Sequence, residues 1–191
     1  MLGSVALTSA LDELTPLYEK ATGDKINIGY GLAAEIKKRI LDGETADVVI
    51  LPRPMMDDLQ KQDKLAPKSL VNVVGTPISV VAREGATKPD ISSVDAFKRA
   101  LLATRSIVYA DPAKGGVSGV YFANVLGRLG IADQMKNKTI LVPGAQGAEV
   151  VAKGEAELGV AQASEIAPIA GAQLIGPLPG ELASDFLRGP R

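Results

Sequence analysis

The sequence contains no cysteine, no histidine and no tryptophan among its 191 residues. Without Cys and His, zinc, iron–sulfur and haem sites lack their usual ligands, and Ser-His and Cys-His nucleophile pairs are excluded. No apolar run approaches the roughly 18 residues of a transmembrane helix. Basic and acidic residues nearly balance, at 21 and 22, so nothing supplies the basic face that nucleic-acid binding requires. These absences predict no metal, no cofactor and no nucleic-acid partner.

The remaining composition is that of a globular chain, with 46% apolar and 23% charged residues. The length suits one large domain or two lobes of roughly 100 residues each. The first residues, Met1 to Val5, have neither the basic segment nor the long apolar run of a signal peptide. The sequence therefore allows either a cytoplasmic protein or an exported one whose signal has been removed.

Short apolar runs alternate with helical patterns along most of the chain. The runs, typical of strands covered on both faces in a parallel sheet, are 47–51, 78–82, 107–110, 140–142 and 158–161. Between them, Phe122, Val125, Leu126 and Leu129 form one apolar helical stripe, and Ser92 or Ser93 can cap another helix. This alternation predicts an α/β fold with parallel-rich sheets.

Two Gly- and Pro-containing joins divide the pattern. The first breaks an apolar run at Gly75 to Pro77, and the second lies at Leu174 to Pro177. Two crossings at the two ends of one block predict a lobe formed by residues 1–75 plus 175–191, and an inserted lobe formed by residues 76–174.

Three loops after predicted strands are candidate anion sites. Residues 111–119 place Lys114 and several glycines before a helix, where backbone N–H groups and the helix dipole favour an anion; the alternative is a glycine-rich turn without a ligand. Arg53 follows a buried strand and could hold a carboxylate bidentately, or it is a solvated surface arginine. Residues 30–34 leave bare N–H groups at a helix start, unless they form a plain turn.

The carboxylates do not form a convincing acid/base pair. Asp57 and Asp58 are adjacent on an amphipathic stretch, so at most one can face a cleft. Four further acidic side chains are interpreted as a solvated surface: Glu149, Glu155, Glu157 and Glu165. The sequence thus predicts a binding protein rather than an enzyme.

Taken in order, several stretches of the sequence resemble the periplasmic molybdate-binding protein family. The resemblance reaches to about Leu182 and rests on residues 6–11, 18–23, 40–50, 111–121, 126–130 and 153–159. It implies a two-lobe, type 2 periplasmic-binding fold that closes its cleft on a tetrahedral oxyanion. It also implies a periplasmic location and delivery of the ligand to the membrane subunits of an ABC transporter.

The resemblance carries the family's binding groups onto particular residues. Its two ligating serines align with Ala6 and Ala33, and its ligating tyrosine aligns with Gln162. The resemblance implies backbone donors at Ser118 and at Gly144 or Ala145. We further expect main-chain N–H donors near Ala6, Leu7 and Thr8, and near Ala33 and Ala34. Because three side-chain donors differ, we expect another small inorganic or organic anion, held with the help of Arg53, in place of molybdate.

The sequence therefore predicts a solute-binding protein for ABC-type uptake of a small anion. Two other functions stay open: an intracellular anion-sensing domain, and an enzyme acting on an anionic metabolite. The family normally continues with helices that return to the first lobe, and residues 184–191 do not resemble that continuation. Self-association through an exposed apolar surface is therefore a further expectation.

Overall fold

The computed structural model describes residues 1–184, which divide into two units with separate sheets. The first unit covers Met1–Gly75, and the second begins at Thr76 and includes every described residue after it. Each unit combines parallel strands with helices. The predicted α/β class with parallel-rich sheets is confirmed.

The first unit is built on a small, fully parallel sheet. Its strands and helices are β1 (Leu2–Ser4), α1 (Thr8–Thr22), β2 (Gly29–Gly31), α2 (Ala33–Leu41), β3 (Val49–Ile50) and α3 (Arg53–Lys61). The strand order is β2-β1-β3. Ile36 and Ile40, one turn apart on α2, pack with Leu2 and Leu59 into the core of this unit.

The second unit has a five-stranded mixed sheet. Its strands are β4 (Ile78–Arg83), β5 (Ile107–Ala110), β6 (Thr139–Val142), β7 (Leu158–Gln162) and β8 (Ala172–Pro177). They lie in the order β6-β5-β7-β4-β8. The three strands β5, β6 and β7 are parallel, whereas β4 pairs antiparallel with both β7 and β8. The carboxyl ends of β5, β6 and β7 therefore meet at one edge of the sheet.

Five helices complete the second unit: α4 (Val94–Ala103), α5 (Val117–Arg128), α6 (Ala132–Met135), α7 (Gly147–Ala152) and α8 (Ala163–Ile166). The apolar stripe predicted for α5 is buried, and Phe122 at its centre is fully enclosed. The ring of Phe122 meets Tyr109 of β5 edge-on, with centroids 5.0 Å apart, and lies 6.5 Å from the ring of Phe97 on α4. These contacts fix α5 against the sheet.

Residues 175–184 differ from the predicted division of the chain. They were expected in the first lobe, but β8 pairs with β4, and Leu178 and Leu182 are buried in the second unit. The main-chain N–H of Ile78 also donates to the Ser184 hydroxyl at 3.0 Å. The Gly-Pro pattern at 176–177 thus ends an edge strand and does not mark a crossing between lobes. The rest of the predicted segment, 185–191, lies outside the described residues.

Residues 1–184 contain neither a membrane-spanning helix nor a cluster of metal-binding side chains. No helix there combines the length and hydrophobicity needed to cross a lipid bilayer. No group of three or more acidic side chains in this part of the chain has the arrangement of a metal site.

Candidate functional site

Three of the helices that follow parallel strands begin without side-chain caps. Leu7, Leu32 and Gly116 occupy the N-cap positions of α1, α2 and α5, and none provides a side-chain hydrogen bond to the helix. By contrast α4, which follows an antiparallel strand and a long loop, is capped by Ser93, whose hydroxyl accepts from Ala96 N at 3.1 Å. The uncapped helix starts therefore keep N–H groups that can bind an external acceptor.

The loop after β1 contains the first predicted donors. Ala6 and Leu7 are buried in a single 3₁₀ turn, Val5–Leu7, that leads into α1. The Ser4 hydroxyl lies 3.5 Å from Ala6 N, and the Thr8 hydroxyl donates to Val5 O at 3.0 Å. Because this bond from Ala6 N–H to the Ser4 oxygen is long, the N–H stays available to a better acceptor. Ser4 is a buried polar group of this loop that the sequence analysis missed.

The second predicted pair lies at the start of α2. Ala33 is buried and Ala34 is half-buried, and both occupy the first turn, where the main-chain N–H groups have no helical acceptor. Gly31, just before them, fits closely: a Cβ there would lie 3.2 Å from Ile36 Cγ1. The β2–α2 connection is thus a tight turn that exposes N–H groups at the carboxyl end of β2.

A tyrosine at the end of β2 ties this strand to α1. The Tyr30 hydroxyl donates to Asp12 Oδ1 at 2.7 Å. Burial, followed by the hydrogen bond to the Asp12 carboxylate, raises the pKa of Tyr30 to about 12. This contact fixes two of the uncapped helix starts relative to each other within the first unit.

Arg53 is the first residue of α3, and part of its guanidinium is already hydrogen-bonded within the protein. Its Nε donates to Asp57 Oδ1 at 2.7 Å, and its Nη1 donates to Asn72 Oδ1 at 3.2 Å. The guanidinium is about half exposed, and Nη2 has no partner in the part of the chain that the structure describes. A ligand at Arg53 would therefore share the group with Asp57 or displace that carboxylate.

In the second unit, β5 leads into a short capped turn and then α5. Asp111 Oδ1 accepts from Ala113 N at 2.9 Å, so its carboxylate stabilises the turn Pro112–Lys114. Gly115, with φ 77°, reverses the chain before the first turn of α5, where Ser118 is buried. The predicted Asp111 loop is thus a support for the N-terminus of α5.

The remaining predicted positions lie at the same edge of the second sheet. Gly144 and Ala145 follow β6 and are half-buried. The parallel pairing of β5 with β6 and β7 places Ser118, the Gly144–Ala145 turn and Gln162 at the carboxyl ends of three neighbouring strands. These are the predicted site residues that the topology of the second unit brings to one edge.

Gln162 does not present a free side chain at this edge. It ends β7 and caps α8 in a reciprocal capping box with Glu165. Gln162 N and Nε2 donate to the two carboxylate oxygens of Glu165 at 3.1 and 3.2 Å. A ligand could bind the Gln162 amide only by competing with this arrangement.

The sequence predicted that Glu165 lies on a solvated surface, and for this residue the prediction is wrong. Its carboxyl group is largely enclosed, and burial raises the pKa of Glu165 to about 7 in spite of the two hydrogen bonds from Gln162. Its neighbour Ser164 is bonded to the Thr76 hydroxyl, through Oγ at 2.9 Å and N at 3.0 Å. The Gln-x-x-Glu spacing of a capping box was the sequence signal that could have identified this residue.

Comparison with known protein families adds the following. The family model described as bacterial extracellular solute-binding protein matches residues 1–187. Aconitate isomerase from Pseudomonas sp. is 34% identical over 187 residues, which are 95% of this chain and 70% of that protein.

Solved structures share the fold at lower identity. The substrate-binding domain of a molybdenum ABC transporter from Clostridium difficile superposes with a TM-score of 0.72 at 17% identity, covering 96% of this chain and 79% of that chain. The periplasmic molybdate-binding protein of Azotobacter vinelandii superposes with a TM-score of 0.65 at 20% identity, covering 94% and 75%. The resemblance drawn from the sequence is confirmed for the family and the fold.

Proposed function

Because the chain belongs to the family of bacterial extracellular solute-binding proteins, we propose that it captures a small organic anion for uptake. The observation that carries the proposal is the set of uncapped starts of α1, α2 and α5 at the ends of parallel strands. Each offers main-chain N–H groups and the positive end of a helix dipole. Binding of an anion by these groups requires no metal and no covalent step.

The proposed ligand carries carboxylates. The two positions that align with ligating serines of molybdate-binding proteins are Ala6 and Ala33, which have no hydroxyl. A hydrogen bond to a charged group contributes about 1.5–3 kcal/mol. The absence of two hydroxyls would therefore weaken the binding of a molybdate-like anion by about 10²–10⁴-fold. The curated relative supports a carboxylate further, since its name gives aconitate, a tricarboxylate, as what it acts on.

Each unit, taken by itself, contains main-chain donors of the kind we propose. In the first unit they are the N–H groups of Ala6, Leu7, Ala33 and Ala34, together with the Arg53 guanidinium. The N–H of Thr8, which was also predicted as a donor, already donates to Val5 O. In the second unit they are the N–H groups at Val117 and Ser118, with Gly144, Ala145 and the Gln162 amide as further groups at the same sheet edge. An anion at the first turn of a helix gains about 0.3–1 kcal/mol from the dipole, and more when it is partly buried.

We further propose that the protein acts in the periplasm and passes its ligand to ABC-transporter membrane subunits. The family description as extracellular solute-binding and the periplasmic molybdate-binding protein of similar fold support this location. Substrate-binding domains of ABC transporters are also among the proteins of similar fold.

A ligand panel tests the binding proposal. Citrate, cis-aconitate, trans-aconitate, molybdate, sulfate and phosphate would be screened by thermal shift and then by calorimetry. A carboxylate at about 100 times its Kd adds about 2.7 kcal/mol of stability, which raises Tm by roughly 5–10 °C in a chain of this size. If no carboxylate shifts the melting curve at millimolar concentration, the proposal is wrong. If only molybdate does, the inferred ligand class is wrong.

A second candidate function is isomerisation of the bound carboxylate. Glu165 favours it: a carboxyl with a pKa of about 7 exchanges protons readily at neutral pH, and it lies on α8 just beyond the carboxyl end of β7. Incubation of the protein with trans-aconitate, followed by NMR, would show any turnover. Glu165→Gln should abolish that turnover while leaving the Kd for trans-aconitate within about threefold. A wild-type protein that binds trans-aconitate without converting it would restrict the function to capture.

A further inference from the structure

Helix α1 stands outside the core of its unit. None of its 15 residues is buried. The side chains that turn toward the rest of the unit are only half-buried: Thr8, Leu11, Thr15 and Glu19. Their spacing of three and four residues marks one face of the helix. The opposite face is thus free to bind something else.

That opposite face is apolar. Ala10, Leu14, Leu17 and Ala21 recur at i, i+4, i+7 and i+11, and Tyr18 borders them. We name these five residues the outer stripe. Leu14, Leu17 and Tyr18 are 58%, 64% and 48% exposed. An amphipathic surface helix normally turns such a stripe toward its own core, so its outward direction on α1 indicates an interface.

We propose that the outer stripe binds the outer stripe of a second copy of this chain, with the two α1 helices antiparallel. Charge at the border of the stripe favours this occupant. Glu13 and Lys20, seven residues apart, follow the same edge of the stripe, and neither forms an ion pair with any residue in 1–184. An antiparallel pair brings Glu13 of each copy level with Lys20 of the other, which gives two equivalent ion pairs about a two-fold axis.

The other acidic side chains of α1 do not compete for Lys20. Asp12 accepts from the Tyr30 hydroxyl, and Glu19 is held by Lys25 at 2.8 Å and by Ile26 N at 2.8 Å. A parallel pair about a two-fold axis would turn the edges that bear Glu13 and Lys20 to opposite sides of the interface, so these charges would not meet those of the other copy. The free charges therefore specify the direction of the pair.

The size of the surface sets the strength expected of this dimer. A helix of 15 residues is about 22 Å long, so a single helix pair lies at the low end of the interface areas typical of specific complexes. We expect a dissociation constant in the micromolar range rather than the nanomolar range.

Sedimentation equilibrium of the full chain, over concentrations of about 1 to 200 µM, tests the proposal. Wild type should pass from monomer to dimer in this range. Leu17→Glu should remain monomeric, because it places a charge in the centre of the stripe. Leu141→Glu is the matched control, since Leu141 is 48% exposed on β6 of the second unit; it should dimerise like wild type.

Charge reversal tests the antiparallel direction without disturbing apolar contacts. Glu13→Lys and Lys20→Glu should each weaken dimerisation at least about fivefold, and the double variant should restore it. A folded wild-type chain that stays monomeric at the highest concentration would overturn the proposal and leave an unrelated polypeptide as the partner of the stripe. So would dimerisation of Leu17→Glu at wild-type strength, or a double variant as weak as the two single ones.

Discussion

Gly119 lies directly against the main-chain carbonyl of Ala110. A Cβ built on Gly119 would come within 1.8 Å of that oxygen and 2.7 Å of its carbon. The first turn of α5 can therefore approach the last residue of β5 only because position 119 has no side chain. This contact sets where the N–H groups of Val117 and Ser118 stand relative to the sheet.

Gly119→Ala is expected to destabilise the protein by about 3 kcal/mol or more, since the overlap is with main-chain atoms that cannot rotate away. Urea unfolding measures the change. Gly127→Ala, near the end of the same helix, is the matched control because a Cβ there meets nothing within 4 Å. It should be neutral or stabilise by about 0.5–1 kcal/mol. Equal stability of the two variants would refute the close approach.

Glu165 gives the stability a defined pH dependence. Its folded pKa of about 7 lies above the ordinary value of 4.5, so the fold favours the protonated carboxyl. The resulting stabilisation is fully present below pH about 4.5 and is lost as pH rises through about 7, with a total of up to about 3 kcal/mol.

Glu165→Gln isolates this effect, because glutamine at the same position can complete the capping box without titrating. Unfolding free energies of wild type and variant would be compared from about pH 5 to pH 8. The wild type should lose stability relative to the variant across this interval. A difference that stays constant with pH would show that Glu165 has an ordinary pKa.

Substitutions of Arg53 and Asp57 test whether the arginine binds the anion. Arg53→Ala should weaken carboxylate binding by about tenfold, the effect of one charge-assisted hydrogen bond. Asp57→Ala should strengthen binding severalfold, because it removes both the acceptor of Arg53 Nε and the negative charge beside the guanidinium. Calorimetry with the best carboxylate of the panel gives both values. If neither substitution changes the Kd, Arg53 is a surface residue held by Asp57.

Local patterns predicted the parts of the fold that local physics decides. The run 107–110 is β5, Ser93 caps α4, and the stripe of Phe122, Val125, Leu126 and Leu129 is buried. Each depends on side chains within a few residues of one another, so spacing and residue type were sufficient.

Contacts between distant residues were harder to predict. The placement of residues 175–184 depends on β8 pairing with β4 and on Ser184 reaching Ile78, more than 100 residues earlier. The state of Glu165 depends on enclosure by surrounding elements, which charge patterning does not report. For the candidate site, the sequence identified the loops that bear N–H groups, but not that Gln162 and Arg53 already have partners within the protein.

The most direct test of the account is removal of one main-chain donor at the start of α5. Val117→Pro deletes a single N–H at the first helical position, which proline occupies without harm to the helix, and the extended Gly116 before it is compatible with proline. Val94→Pro is the matched control, since Val94 is the first residue of the Ser93-capped α4.

Both variants would be titrated by calorimetry with the carboxylate that binds wild type best. Val117→Pro should raise the Kd by about 10- to 100-fold, the loss of one hydrogen bond to a charged group, while Val94→Pro should bind like wild type. Equal affinity of Val117→Pro and Val94→Pro would contradict the assignment of the α5 N-terminus as an anion site.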